Sequence, residues 1–578
     1  MTAQVTNTFL IEFDGQKLAA DVDLTAVLVE DQLHLPDSFT VTFRDGSRTA
    51  LSRSGAKVGG KVKISVLNDS AQQPVTLITG EVTALEAEIH QGTSFSIVRG
   101  YDESHRLLHG SVTESYQNAT FADIAKKVAQ RHSLRPGKIE GTSPTHPHVT
   151  QANESDWEFL RRLAGEVNFE VTVTDGKLNF YRPVNSSGAP SAGDLTTENS
   201  LNLLVGSNLL ELRAVVTASE QVKEVEVRGW DPTTKKALVS TLPTKTDTIA
   251  NGHDPAELAG KFPGPSLVAV DVPLTTVKEV DNAAQALAER VAAAFTEMEG
   301  QARGDPKLKA GAAVTIDLLG APFDGKYVIT SARHTYDSVE GYTTWFTISG
   351  RQERSLLGLT DSSGGGAPGR VPGVVPAIVD DVDDPDQHGR VRLRFPWMDE
   401  KYVSDWSRVA HAGAGNERGF LILPEVGDEV LVAFDQGEVR RPFVLGGLYN
   451  GEDRAKTGPG PLLDSSTHAV NNRLFTSRKG HQLVFIDADE HCGIVVSTGD
   501  GRIEVRLDQD QKKIEVTCAG DITVKADGDT KFECQGAFEV SALSLKLEAQ
   551  TTASVKGTQV SIDGSGPVKV TGQPIQLN

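Results

Sequence analysis

Two short stretches carry residue types that bind metals. His146-Pro147-His148 would make half of a site, and Asp487-Ala488-Asp489-Glu490-His491-Cys492 would make another. Neither has the ligand spacing that fixes a tetrahedral set. The first reads as a polar loop. The second reads as a turn into the chain's last segment, where three copies of His491 on a symmetry axis would leave room for an ion. Glycan cleavage needs two carboxylates held by a domain of their own. Glu452 and Asp464 lie between Tyr449 and Leu483, a stretch too short for one. No Gly-x-Ser-x-Gly follows a strand, and the glycine clusters fall in linkers rather than phosphate cradles. Arg390, Arg392, Arg394, Trp397 and Trp406 have the basic and stacking character of a single-strand nucleic-acid groove. The charge opposes that use: 78 acidic against 57 basic residues, net −21, where a nucleic-acid surface needs excess cations. Cys492, Cys518 and Cys534 are too few and too irregular for a disulfide framework and read as small buried hydrophobes. The sequence therefore assigns no catalytic residue, no cofactor and no metal.

The elements around these residues are mostly strands. At 578 residues the chain is long enough for about three to five domains. Up to about Arg354 alternation recurs, in Val62/Ile64/Val66, Val225/Val227 and Val314/Ile316/Leu318. Three helices interrupt it. One follows Thr120 to Asp123, with Ile124, Ala125 and Val128 on one face. A second follows the capping box of Ser155 to Glu158, with Leu160, Leu163, Ala164 and Val167 inward. The third is Ala-rich and is expected from Asn282 to Glu299, with Leu287, Val291 and Ala294 inward. A Ser/Gly/Pro joint spans Leu356 to Pro372. Then comes a compact β unit with strands expected at Arg390–Phe395, Gly419–Leu423 and Glu429–Phe434, followed by a second joint, Thr457 to Pro461. The N-terminus lacks a basic region and an apolar core, so no signal peptide is expected. No run reaches the roughly 18–20 apolar residues of a membrane span, and no stable membrane insertion is expected. These features predict a soluble chain made in the cytoplasm, part of a particle that stays in the cytosol or is released; if the chain leaves, a route other than general secretion carries it.

From Gly493 onward, short apolar pairs repeat: Ile494/Val496, Ile503/Val505, Ile514/Val516, Ile522/Val524, Phe538/Val540, Leu545/Leu547, Val560/Ile562, Val568/Val570 and Ile575/Leu577. Gly520, Gly528 and Gly536 read as turns, and Gly564 and Gly572 as two more. A strand-and-turn unit this short has one apolar face and nothing of its own to cover it. A single-chain β-helix needs longer coils to enclose a core. Three chains wound about one axis would cover all three faces, so a homotrimer is expected. The register between Cys534 and Ala553 stays open.

The β unit contains Asp384-Pro-Asp-Gln-His-Gly389-Arg390-Val391-Arg-Leu-Arg-Phe395-Pro-Trp397, then Ser404-Asp-Trp406, Gly419 to Phe434, and Arg441-Pro to Tyr449. This resembles the oligonucleotide/oligosaccharide-binding (OB) barrel of phage baseplate spikes and of the VgrG proteins of type VI secretion. Gly80-Glu-Val82, Gly100-Tyr-Asp102-Glu-Ser-His105-Arg106-Leu107, Glu154 to Leu160 and Phe323 to His334 resemble the hub half of that family. The resemblance implies a mainly β protein: a hub of two barrel-like lobes over 1–355 with an α/β insert around 111–200, a linker at 356–372, an OB domain at 373–455, a connector at 456–482, and a trimeric β-helix spike at 483–578. It implies a structural role, adapting a threefold spike to a sixfold tube and piercing an envelope when a sheath contracts. Implied partners are inner-tube and baseplate proteins, a PAAR-type tip protein at Pro574, Ile575, Gln576, Leu577 and Asn578, and effector cargo. The hub's ending, Tyr336 to Gln352, is most similar to spikes of extracellular contractile injection particles. Type VI secretion, a phage spike that degrades peptidoglycan, and a trimeric adhesin are the alternatives.

Overall fold

The computed structural model describes residues 7–68, 73–193, 199–262, 264–270, 272–339, 341–350, 370–489 and 491–576. It divides into two compact units, Met1–Arg454 and Ala455–Asn578. The joint expected at Leu356 to Pro372 lies mostly outside the described residues.

The first unit is organised by one eleven-stranded antiparallel sheet. Its strand order is Leu209–Val216, Thr296–Arg303, Gly341–Ile348, Ser331–Asp337, Asp23–Gln32, Ser38–Arg44, Thr93–Tyr101, Val75–His90, Lys61–Asn68, Asn7–Phe13 and Gln16–Lys17. The pairing of Ser331–Asp337 with Asp23–Gln32 joins the end of the hub to its beginning. Alternation decides which face is covered. Val27 and Val29 pack with Phe39, Val41, Phe43, Ile64 and Val98 in one core, and Phe295, Met298, Ala302, Phe346 and Ile348 pack in a second. One sheet with two cores makes the two lobes of a mainly β hub.

The motif glycines at 80 and 100 have a steric reason. Their strands cross so closely that a Cβ on Gly80 would lie 2.2 Å from the Tyr101 carbonyl oxygen, and one on Gly100 1.9 Å from that of Glu81. The rest of that motif forms the turn that follows. Asp102, 5% exposed, accepts from the Ser104 amide at 3.2 Å and its hydroxyl at 2.5 Å. Arg106 donates to Glu81 at 2.9 Å. Burial pushes the Asp102 carboxyl up to about 8, with Glu103 and Asp31 adding repulsion against the Ser104 bonds. An acid raised on folding costs stability as pH climbs from its ordinary range through the folded value. Asp102→Asn keeps the acceptor and removes the charge. It is expected to raise stability by about 1–3 kcal/mol at pH 8, and the gain should fade below pH 4 in thermal melts.

The insert packs helices Phe121–Arg131 and Asp156–Glu166 on strands Val112–Ala119, Arg135–Ile139, His146–Glu154, Glu170–Thr174 and Lys177–Tyr181. Both helices open on capping boxes, Thr120 with Asp123 and Ser155 with Glu158. The third helix runs Val277–Ala293, not 282–299 as expected. Its start is a capping box, Thr276 with Glu279, and Val280, Ala284, Ala286, Ala288 and Ala292 are buried. Residues 296–303 are a strand that buries Thr296, Met298, Gly300 and Ala302.

The barrel orders Arg392–Arg394, Val374–Asp381, Glu429–Phe434, Pro442–Gly447 and Arg408–Val409 in one sheet. Val379, Leu393, Phe395, Tyr402, Val430, Val432 and Val444 fill it. The strand expected at Gly419–Leu423 does not form. Only Arg418–Gly419 pairs, with Ala414–Gly415, and Phe420, Leu421, Ile422 and Leu423 are exposed.

The second unit begins as a five-stranded antiparallel meander of Asn472–Thr476, Gln482–Ile486, Gly493–Ser497, Ile503–Asp508 and Lys513–Cys518. Beyond Cys518 the described chain forms no ladder. It bends at 519–520, 527–528, 535–536, 543, 550–551, 558–559, 565–566 and 573–574. These bends carry the repeat through the stretch whose register the sequence left open. They also correct two turn glycines. Gly564 and Gly572 end extended runs, where a Cβ would meet Val568 at 3.0 Å and Ile575 at 3.6 Å respectively.

Candidate functional site: an uncovered apolar face and a buried polar seam

The meander has one face that the described residues leave open. The ladders place Phe475 beside Leu483, Leu483 beside Val496, Val496 beside Val505 and Val505 beside Val516. A second row runs Phe485, Ile494, Leu507, Ile514. Every member of both rows is apolar. Phe475, Phe485, Val496, Leu507, Ile514 and Val516 are each more than 40% exposed. The opposite face holds only a small core of Val484, Ile486 and Val495. In the ladder-free stretch the same pattern continues, with Ile522, Val524, Phe538, Val540, Leu545 and Leu547 exposed. Soluble chains rarely leave so long an apolar surface uncovered.

At the far end Pro574, Ile575 and Gln576 are exposed, while Leu577 and Asn578 lie outside the described residues.

The second feature is the seam that joins the barrel to the insert and to the start of the helix Val277–Ala293. Arg440, whose side chain is 8% exposed, reaches Glu166 at 3.0 Å and Glu438 at 3.3 Å. Arg441 donates to the Thr275 hydroxyl at 2.8 Å and lies 3.6 Å from Glu279. His148 Nε2 is 3.0 Å from the Val403 carbonyl oxygen, and the Thr150 and Tyr402 hydroxyls are 2.9 Å apart. His146 and His148 are therefore buried strand residues rather than members of a polar loop. His146 stacks on Phe121 with ring centroids 4.4 Å apart and faces Glu279 at 3.5 Å. Sequence reasoning missed Arg440, Arg441 and Glu166. The one local signal was a pair of arginines shortly after Glu438, between the strands Glu429–Phe434 and Pro442–Gly447.

The remaining sequence candidates are accounted for by local bonding. Asp487 pairs with Arg473, His491 is exposed, and Glu490 lies outside the described residues. Among the described residues no group of three or more metal-ligating side chains comes together. Asp464 accepts from Ser466 and Thr467, closing its own turn, and those bonds hold its carboxyl below the usual range. The three cysteines are free, and none is buried within its chain, contrary to expectation. The arginines expected to form a basic groove are engaged locally, two of them by aspartates. Arg390 is held by Asp384, Arg394 by Asp380 at 2.7 Å, and Arg392 lies over Trp406, 4.8 Å from the ring centroid.

Asp384 also explains the loop motif that contains it. Its carboxylate accepts from the His388 amide at 2.9 Å, the Arg390 amide at 3.2 Å, and Arg390 Nη2 at 2.6 Å. Gly389 turns at a φ of 71° between them, a conformation side chains resist. The Arg390 bond, opposed by burial and aided by backbone amides, holds Asp384 below the usual carboxylate range. Asp384→Asn should cost about 1.5–3 kcal/mol, read as a lower urea midpoint. The depressed carboxyl acts at every pH above its ordinary range, so the difference should persist at pH 5 and shrink only in stronger acid.

Parts of the chain match known proteins. Residues 3–338, more than half of the chain, match the family described as the Alg8 N-terminal domain. The chain belongs to that family. Residues 375–449 match the type VI secretion system/phage-baseplate injector OB domain. The type VI secretion system spike protein VgrG1c of Pseudomonas aeruginosa is 30% identical over 133 residues, 20% of this chain and 18% of that protein. The actin cross-linking toxin VgrG1 of Vibrio cholerae is 30% identical over 121 residues, 18% of this chain and 11% of that protein. The chain thus spans less than a fifth of the length of either relative. The lidded PdpA–VgrG complex of Francisella has the same fold, with a TM-score of 0.52, 10% identity, and coverage of 89% of this chain and 80% of that one. This Alg8-family chain is VgrG-like, similar to spike and baseplate-hub proteins.

Proposed function

We propose that three copies of this chain form the hub and spike of a phage-tail-like contractile injection machine. The hub adapts a threefold spike to a sixfold inner tube, and the spike pierces a target envelope when an outer sheath contracts. The two apolar rows of the meander carry this reading. Among the described residues nothing covers them, and three chains about one axis would supply that cover. Fully burying one such side chain is worth about 1.5–3 kcal/mol, so rows of them favour an obligate assembly. The chain acts by transmitting force rather than by catalysis, a reading supported by relatives named as spike proteins. Native mass spectrometry of the full chain is expected to give a trimer, and a monomer at micromolar concentration would refute the reading.

Pro574 to Asn578 are the proposed seat of a PAAR-type tip protein. Removing 572–578 should leave the trimer intact and abolish tip capture in a pull-down. We place the machine among extracellular contractile injection particles, on the hub ending from Tyr336 to Gln352. The second reading, a type VI secretion VgrG, is favoured by the curated relatives of the chain. Neighbouring genes separate the two: sheath, tube, AAA ATPase and tail fibres on one side, a membrane complex on the other.

A further inference from the structure

The seam between insert and barrel is held mainly by polar groups. Only Ala152 from the insert enters the barrel's apolar cluster. A joint of this kind depends on bond geometry and charge, so one added charge weighs heavily in it. His148 sits at its centre, 7% exposed. On its own strand it faces Thr150, whose hydroxyl is 3.4 Å from Nδ1, while His146 turns away toward Phe121 and Glu279. From the barrel it faces the Val403 carbonyl, the edge of the Tyr402 ring at 5.9 Å, Asp405, Arg392 and Arg440.

We propose that this seam is a pH-sensitive joint with the His148 imidazole as its sensor, so that mild acid loosens the barrel from the hub while each keeps its own fold. The Val403 carbonyl can only accept, so Nε2 already carries a proton. The incoming proton must go to Nδ1, and the Thr150 hydroxyl must then turn its own proton toward Tyr402. The new cation arises beside Arg392 and Arg440, out of water; Asp405 attracts it, while Glu438 is already engaged by Arg440 at 3.3 Å.

Burial, followed by Arg392 and Arg440, outweighs the Val403 and Asp405 contributions and holds the imidazole below its ordinary value. A histidine lowered on folding leaves its contribution intact above about pH 6.5 and erodes it below. Glu279 does not compensate. Burial raises its carboxyl, but His146, Arg441 and the Thr275 amide hold it at about 2, so it stays charged through this window.

Hydrogen exchange of the full-length protein tests the joint, with rates corrected for the intrinsic effect of pH. Peptides covering 146–152 and 399–406 are expected to exchange about tenfold faster at pH 5.0 than at pH 7.5, with those covering 429–434 unchanged. His148→Gln keeps a donor near Val403 and cannot charge, so it should flatten the response, whereas His146→Gln should not. A flat wild-type profile, equal acceleration of 429–434, or an unchanged response in His148→Gln would overturn the proposal. If His148→Gln does not fold by circular dichroism, His148→Asn replaces it. The wild-type profile still decides, because a flat or global response refutes the joint by itself.

Discussion

Val524→Asp is expected to break the proposed trimer or to lower its thermal midpoint more than any other single surface change. Val524 is 73% exposed in the isolated chain and would pass as a tolerant site. The pattern says otherwise. It lies in the run between the bends at 519–520 and 527–528, on the same face as Ile522. In the proposed threefold needle each substitution is made three times, close to one axis. A buried, unpaired carboxylate costs about 3 kcal/mol or more, so the trimer would lose on the order of 10 kcal/mol before any repulsion among the three. Lys525→Asp is the control. It changes a neighbour by two charge units on the opposite face and should move the midpoint little. Scanning calorimetry and native mass spectrometry read both. If Val524→Asp and Lys525→Asp behave alike, Val524 faces outward and the register is off by one.

What could be read in the sequence was local. The capping boxes at 120–123 and 155–158 and the alternation of the hub strands each depend on residues a few places apart, and the structure contains them. The repeat of the needle is local in the same sense. Errors arose where a local pattern had two meanings. The Ala-rich run from 282 predicts a helix to 299, yet Thr296, Met298, Gly300 and Ala302 alternate as a strand, and Thr276 with Glu279 marks the true start. Phe420 to Leu423 is apolar on both faces, which reads as a buried strand, but within one chain it finds no ladder. The seam was not legible at all. Arg440 and Glu166 are separated by 274 positions, and no periodicity links them. His146 and His148 show the cost: two histidines around a proline fit a polar loop until Phe121 and Glu279 enclose the first and the barrel encloses the second.

Arg440→Ala is expected to cost about 3–5 kcal/mol, the largest effect of any single change in the first unit. Arg440 is nearly out of solvent and holds two carboxylates, Glu166 at 3.0 Å and Glu438 at 3.3 Å. Truncation leaves Glu438, itself 8% exposed, charged and without its cation. That penalty, rather than any net worth of the pair, sets the size of the effect. A charge-neutral replacement separates the two. Arg440→Met combined with Glu438→Gln removes the cation and one anion together at similar volume. It should recover most of the loss, because replacing a buried pair is often near neutral while breaking one is not. Urea unfolding of the two variants, followed by Trp397 and Trp406 fluorescence, gives both numbers. If the double variant is as unstable as Arg440→Ala, the geometry of the guanidinium itself supports the seam. If Arg440→Ala loses less than about 1 kcal/mol, the range of an exposed pair, water reaches the seam and the barrel is not held to the insert there.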